Sequence, residues 1–285
     1  MVIKSSIDIN KEILNIWRGA KKAGFKKKTG ESLLSPCFFT NSLVAPSCDL
    51  LIVGLNPSHS HTNWKRIIKK YNPSVNESRA LKKLITIISD KTKGNGFEEI
   101  NHLLDDYFKF DKLGNKEKEI ISLDNTALKA EIGLDYFKKM HKLAEYIYNS
   151  DSPPWLHLDL YFYRKTNQNY LKKLIDLMPP FFQSQIYLSK DIIFWLKPSI
   201  ILVANVYAGE VFREMYFPES RDGFFENVPL NDKTGAYDLS LDENHIAHVF
   251  FTGMFSGQRA MDNGSYHRLK WHLKAVHESK TMQKF

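Results

Sequence analysis

Apolar residues recur along this chain in two rhythms, short continuous runs and stripes at helical spacing, and the two alternate. From Asp8 to about Ala23, the residues Ile9, Ile13, Leu14, Ile16 and Trp17 share one stripe, which predicts an opening helix. The stretch from there to Ala45-Pro46 has no period and reads as irregular. Asp49-Leu50-Leu51-Ile52-Val53 is a short apolar run, the mark of a strand covered on both faces. It stops at Gly54-Leu55-Asn56-Pro57-Ser58, a turn by composition. Leu81–Ser89 reads as helix, and residues 90–130 as a polar insertion or lid broken by Gly94, Gly96 and Gly114.

Leu134, Phe137, Met140, His141, Ala144, Ile147 and Tyr148 predict a helix over 134–149, ended by Ser152-Pro153-Pro154. A second strand follows over Leu156–Tyr163, rich in β-favouring aromatics. One helix leads to Pro179-Pro180, and another covers Gln185–Leu196. Ser199–Ala204 is the third strand and Tyr207–Met215 the helix after it. Residues 217–245 read mostly as loop, His248–Phe251 as the fourth strand, and Thr252–Gly257 as the loop leaving it. A helix around His267–His277 closes the chain.

Short apolar strands alternating with helices imply an α/β fold. The expectation is a three-layer sandwich around a central, mostly parallel four-stranded sheet. With 285 residues, one domain over 1–285 fits, carrying a basic N-terminal segment 1–45 and an inserted polar, helical segment at about 90–133. In such sheets ligands bind beyond the carboxyl ends of the strands, so the residues after each strand are the ones to read for chemistry.

Charge adds a partner to this picture. The net charge is +8, yet residues 1–90 hold fifteen Lys and Arg against six Asp and Glu, so the remaining 195 residues sum to −1. The runs Lys21-Lys22, Lys26-Lys27-Lys28, Lys65-Arg66, Lys69-Lys70 and Lys82-Lys83 concentrate a positive field. Such a field suits a polyanion, because each phosphate contact releases counterions. A solvated lysine-rich surface is the plainer alternative.

The first strand delivers Gly54-Leu55-Asn56-Pro57-Ser58-His59. A buried strand ending in Gly-Leu/Ile-Asn-Pro resembles the first active-site motif of the uracil-DNA glycosylase superfamily. The likeness is to its mismatch-specific and single-strand-selective branches. Leu156–Tyr163 resembles the strand bearing the base-reading residue, Lys197–Leu202 the third strand, and Thr252–Gly257 the loop of the second motif. Together these segments cover roughly residues 45–65 and 135–275.

The resemblance implies a monofunctional DNA glycosylase that flips a nucleotide and hydrolyses its N-glycosidic bond, with no cofactor. Cleavage passes through an oxocarbenium-like sugar attacked by water from the far face. An Asn cannot remove a proton, but its amide carbonyl orients that water, which is the role assigned to Asn56. The base leaves with negative charge. Candidate donors to it are backbone N–H groups near Pro57, Ser58 and His59, together with Thr252 and Ser256. On residues alone, Asn56 also reads as a turn residue before proline.

Asp159 stands where members that recognise uracil usually carry Asn. An ionised carboxylate only accepts, so it suits the N4 amino group of cytosine and repels the O4 of uracil. Some relatives act on hypermodified cytosines in phage DNA as antiviral defence; here Asp159 and the 90–133 insertion, able to wall a pocket wide enough for a hydroxymethyl or glucosyl group at C5, point to that substrate class. Asp159 also reads as a buried carboxylate paired with Arg164 or a nearby His, or as the general base if the strand register is shifted by two. Thr252-Gly253-Met254-Phe255-Ser256-Gly257-Gln258-Arg259 lacks the His and Pro usual in that loop. Met254 and Phe255 are candidate wedges into the base stack, or else core residues. His61, Lys65, Arg66, Lys69, Lys70 and Arg259 are candidate DNA contacts.

Other chemistries are absent from the sequence. The pairs His59/His61, His245/His248 and His267/His272 lack a third ligand at a zincin spacing, so no metal is expected. Neither a dinucleotide-binding glycine motif, nor a P-loop, nor a Gly-x-Ser-x-Gly elbow occurs. With Cys37 and Cys48 its only cysteines, no secretory leader and no membrane-length apolar run, the chain reads as cytoplasmic and monomeric, with DNA, double- or single-stranded and possibly from phage, as partner. Ordinary uracil or mismatch repair, and a non-catalytic nucleic-acid-binding module of the same fold, are the alternatives.

Overall fold

The computed structural model describes residues 3, 5–31, 33, 39, 48–55, 135–163, 167–217, 230–255 and 260–282. Among them are seven helices and a six-stranded mixed sheet, an α/β protein. The described residues group into two compact units. Residues up to 39 together with 159–192 form the first, and 48–55, 135–158 and 193–282 the second. Residues 56–134, which include the expected helix at 81–89 and the insertion at 90–133, lie outside the described residues.

In the first unit, helix α1 (Ser6–Lys22) buries Ile9, Ile13, Leu14 and Trp17, with Ile16 at the edge of the stripe. The segment read as irregular contains a short helix, α2 (Phe25–Thr29), between Gly24 and Gly30, both in the left-handed region with φ 76° and 73°. Trp17 and Phe25 meet the ring of Phe181 edge-on at 4.9 and 5.5 Å, and Tyr163 packs on Phe182 at 5.8 Å. Asn10 holds the chain at Phe39 through both its amide ends, each at 2.8 Å. α4 (Gln168–Leu177), capped by Asn167, adds Leu171 and Leu174 to this core.

The second unit contains most of the sheet. Strands β1 (Leu50–Gly54), β3 (Ile200–Val203) and β6 (His245–Phe251) run parallel, with Val53, Val203 and Phe251 in register. β2 (Trp155–Asp159) lies beside β1, and their starts are joined where Asp49 N and Leu50 N donate to Pro154 O. These four strands come in the expected order along the chain. The sheet does not end there. β4 (Leu230–Asn231) and β5 (Ala236–Asp242) extend it antiparallel beyond β6, giving the order β2-β1-β3-β6-β5-β4. The expected four-stranded, mostly parallel sheet is therefore corrected to six strands of mixed direction.

Alternation along the strands divides their side chains between two faces. Leu50, Ile52, Ile200, Leu202 and Phe250 pack with Met140, Leu143, Ala144 and Ile147 of α3 (Asp135–Tyr148) and with Leu273 and Val276 of α7 (Asn263–Met282). Phe251 points the other way, toward α6 (Val206–Tyr216). There Gly209 approaches so closely that a Cβ would stand 3.4 Å from the Phe251 ring, and Phe212 meets that ring edge-on at 6.0 Å.

Two other boundaries differ from the sequence expectation for local reasons. Pro179-Pro180 begins α5 (Pro179–Leu196) instead of ending the helix before it, because proline at the first helical position lacks only an N–H that would be unpaired there. β2 stops at Asp159 and not at Tyr163. The N–H groups of Phe162 and Tyr163 both donate to Gln185 Oε1 at 2.8 and 3.1 Å, so a buried side chain takes the bonds that a neighbouring strand would supply.

Candidate functional site at the carboxyl edge of the sheet

Because β1, β3 and β6 are parallel and in register, the chain leaves all three at one edge. Ala204 N donates to Val53 O and Thr252 N to Val203 O, each at 2.9 Å. Gly54-Leu55, Ala204-Asn205 and Thr252-Gly253 therefore emerge side by side. Leu55 is buried, and the next residue in sequence is Asn56. Asn56, Pro57, Ser58, His59, His61, Lys65, Arg66, Lys69 and Lys70 all lie outside the described residues, as do Arg164, Ser256 and Arg259.

Asn205 occupies this edge and was not singled out in the sequence. Its backbone is extended, its side-chain oxygen accepts from Ala208 N at 3.1 Å, and it caps α6 while 7% exposed. The positive end of the α6 dipole thus faces the edge, where negative charge is favoured. The signal was legible: an Asn directly after a buried strand and before a helical stripe. Asn205→Ala is expected to cost about 1 kcal/mol through the lost cap, with Asn205→Ser retaining most of it. Thermal unfolding of the two variants checks this.

Thr252 and Gly253 are half-buried on the way into the loop. The loop is pinned at both ends. Met261 N donates to Met254 O at 2.9 Å, and Ser265 N and Oγ donate to Asp262 at the start of α7 at 2.9 and 2.6 Å. Those bonds from Ser265 hold the Asp262 carboxyl below its usual range. Phe255 is fully buried against Tyr266 in the second unit's core, so it is a core ring and not an exposed wedge. Met254 remains half-buried at the loop's neck.

Asp159 is the last residue of β2 and half-buried. The carbonyl of the next residue, Leu160, accepts from the buried Ser189 hydroxyl at 2.8 Å, which fixes the backbone just past the carboxylate.

Four of the described histidines serve separate local structures. His141 bridges Trp155 and Glu145, His245 meets Pro198 O, His248 pairs with Asp238 at 2.6 Å, and His272 meets Thr234 O at 2.7 Å. Among the described residues no group of three or more His, Cys, Asp or Glu could hold a metal, and no helix is long and apolar enough to cross a membrane. Cys48 is buried, and burial pushes its thiol above the usual range, which favours the protonated form. Comparison with protein-family models, curated proteins and solved structures gives no match.

Proposed function

We propose that this chain is a monofunctional DNA glycosylase of the uracil-DNA glycosylase type, acting on a modified cytosine. The observation that supports it most is β1. A strand buried along its whole length ends in Gly54-Leu55 and leads into Asn56-Pro57 at the edge where the Thr252 loop and the α6 N-terminus also emerge. On this reading β2, β1, β3 and β6 are the glycosylase sheet, in a three-layer sandwich, and the β5–β4 hairpin is an addition to its edge.

In the reaction, Asn56 holds a water beneath the anomeric carbon of a flipped nucleotide. The bond from C1′ to the base nitrogen breaks and the base departs with the electron pair. Water adds to C1′ and its proton passes to solvent, from which the departed base takes one up, leaving an abasic site. Thr252, Ser256 and the backbone N–H groups of Ser58 and His59 are the donors assigned to the leaving base. Asp159 accepts from the N4 amino group of cytosine. A hydroxymethyl or glucosyl group at C5 makes phage DNA the substrate, within a cytoplasmic antiviral role. Lys65, Arg66, Lys69, Lys70 and Arg259 bind phosphates.

Duplexes that each carry one uracil, cytosine, 5-hydroxymethylcytosine or glucosylated 5-hydroxymethylcytosine test this. Abasic sites are read by alkaline strand cleavage, and the modified cytosines are expected to yield breaks. Retained DNA binding with no break on any duplex would leave a non-catalytic binding module.

A further inference from the structure

We propose that the outer face of α3 and α7 is a stacking track for single-stranded DNA. The surface belongs wholly to the second unit and uses none of the residues assigned to base excision, so it stands or falls separately from that reading.

Trp271 is 67% exposed, and among the described residues it is the one tryptophan so placed. Its indole lies on a helix that buries Leu273 and Val276. Its surroundings are cationic. Lys270 Nζ stands 4.1 Å and Lys274 Nζ 5.0 Å from the centroid of the Tyr146 ring on α3, and Lys270 is also 5.8 Å from that of Tyr266. Such stacking keeps both ammonium groups over aromatic faces at a surface. Tyr266 Oη donates to Lys139 O at 2.9 Å and ties the two helices together. Lys138, Lys139 and Lys142 on α3 and Arg268 on α7 are exposed. The carboxylates here already have cationic or imidazole partners, Glu145 with His141 at 3.1 Å and Glu278 with Lys274 at 3.8 Å.

The arrangement selects the partner. His267, Trp271, Lys274 and Glu278 fall on the outward row of α7 at i, i+4, i+7 and i+11. One large ring among charged neighbours cannot insert as a membrane-binding apolar face does, which needs several. A single strand offers what this face takes: unpaired bases for the indole, and a phosphate backbone for the lysines. A duplex keeps its bases stacked inside and has nothing to give Trp271.

Fluorescence anisotropy of the full chain with a labelled 20-nucleotide oligothymidine, and with a duplex of the same length, tests the proposal over a range of salt. Trp271→Ala is expected to bind the oligothymidine about 5–100-fold more weakly, with the salt slope and duplex binding unchanged. Trp271→Phe recovers most of the loss. Lys270→Ala and Lys274→Ala each lower the single-strand salt slope by about 0.7. Wild-type affinity of Trp271→Ala for oligothymidine would overturn the proposal. So would a Trp271→Phe variant as weak as the alanine one, or a Trp271→Ala loss confined to phosphatidylserine vesicles.

Discussion

Asn56→Ala is expected to excise its base 10²–10³-fold more slowly than the wild type while binding DNA almost as well. The reason is geometric. A water at the far face of the sugar reacts only when held in line with the breaking bond, and the amide carbonyl supplies that hold without taking a proton. Its removal leaves binding intact and raises the barrier by about 2.7–4 kcal/mol. Asn56→Asp is informative beside it, since a carboxylate can both orient and deprotonate. That variant is expected to keep or exceed wild-type turnover. Single-turnover rates separate the chemical step from product release, and a fully active alanine variant would remove Asn56 from the mechanism.

Gln185→Leu is expected to have the largest effect on stability. The side chain is wholly buried on α5. Its Oε1 accepts from both Phe162 N and Tyr163 N, and its Nε2 donates to Phe181 O at 3.3 Å. Leucine fills the space but leaves two backbone donors dry, each costing about 1–3 kcal/mol. A loss of about 3 kcal/mol is expected, seen as a fall in thermal midpoint of roughly 5–10 °C. Ser189→Ala, which loses one bond to Leu160 O, is expected to cost only about 1 kcal/mol. A Gln185→Leu midpoint within a degree or two of wild type would mean the 160–163 backbone finds other partners.

How far the sequence revealed this fold depends on the element. β1 and β3 are continuous apolar runs, and continuous runs are what strands covered on both faces require, so both were legible. β5 was not, although its signal was present. In Ala236-Tyr237-Asp238-Leu239-Ser240-Leu241-Asp242 the buried Leu239 and Leu241 alternate with the exposed Asp238 and Ser240, the period-two pattern of a half-covered edge strand. Its Asp and Ser content resembles a loop, and a bulge between Ser240 and Asp242 interrupts the alternation. The end of β2 was illegible in principle, because Gln185, more than twenty residues away in sequence, takes the N–H groups that would have continued the strand.

The site shows the same division. Asn56 and Asp159 drew notice through residue type and place after a strand, and Thr252 through the loop that follows β6. Asn205 follows β3 with the same claim to notice, yet its role as cap appears only with the helix it caps. Phe255 shows the limit of composition: an aromatic in a strand-end loop reads as well as a wedge as it does as core, and only its burial beside Tyr266 decides.

Competition between two labelled duplexes in one tube, one carrying 5-hydroxymethylcytosine and the other uracil, bears most directly on the central claim. A carboxylate at Asp159 accepts from an amino group and repels a carbonyl oxygen, and a charge closed against the wrong partner is costly. The wild type is expected to release the cytosine derivative first, and Asp159→Asn to lose much of that preference, because its amide can present a donor to O4. Faster release of uracil by the wild type, with the preference unchanged in Asp159→Asn, would contradict the account.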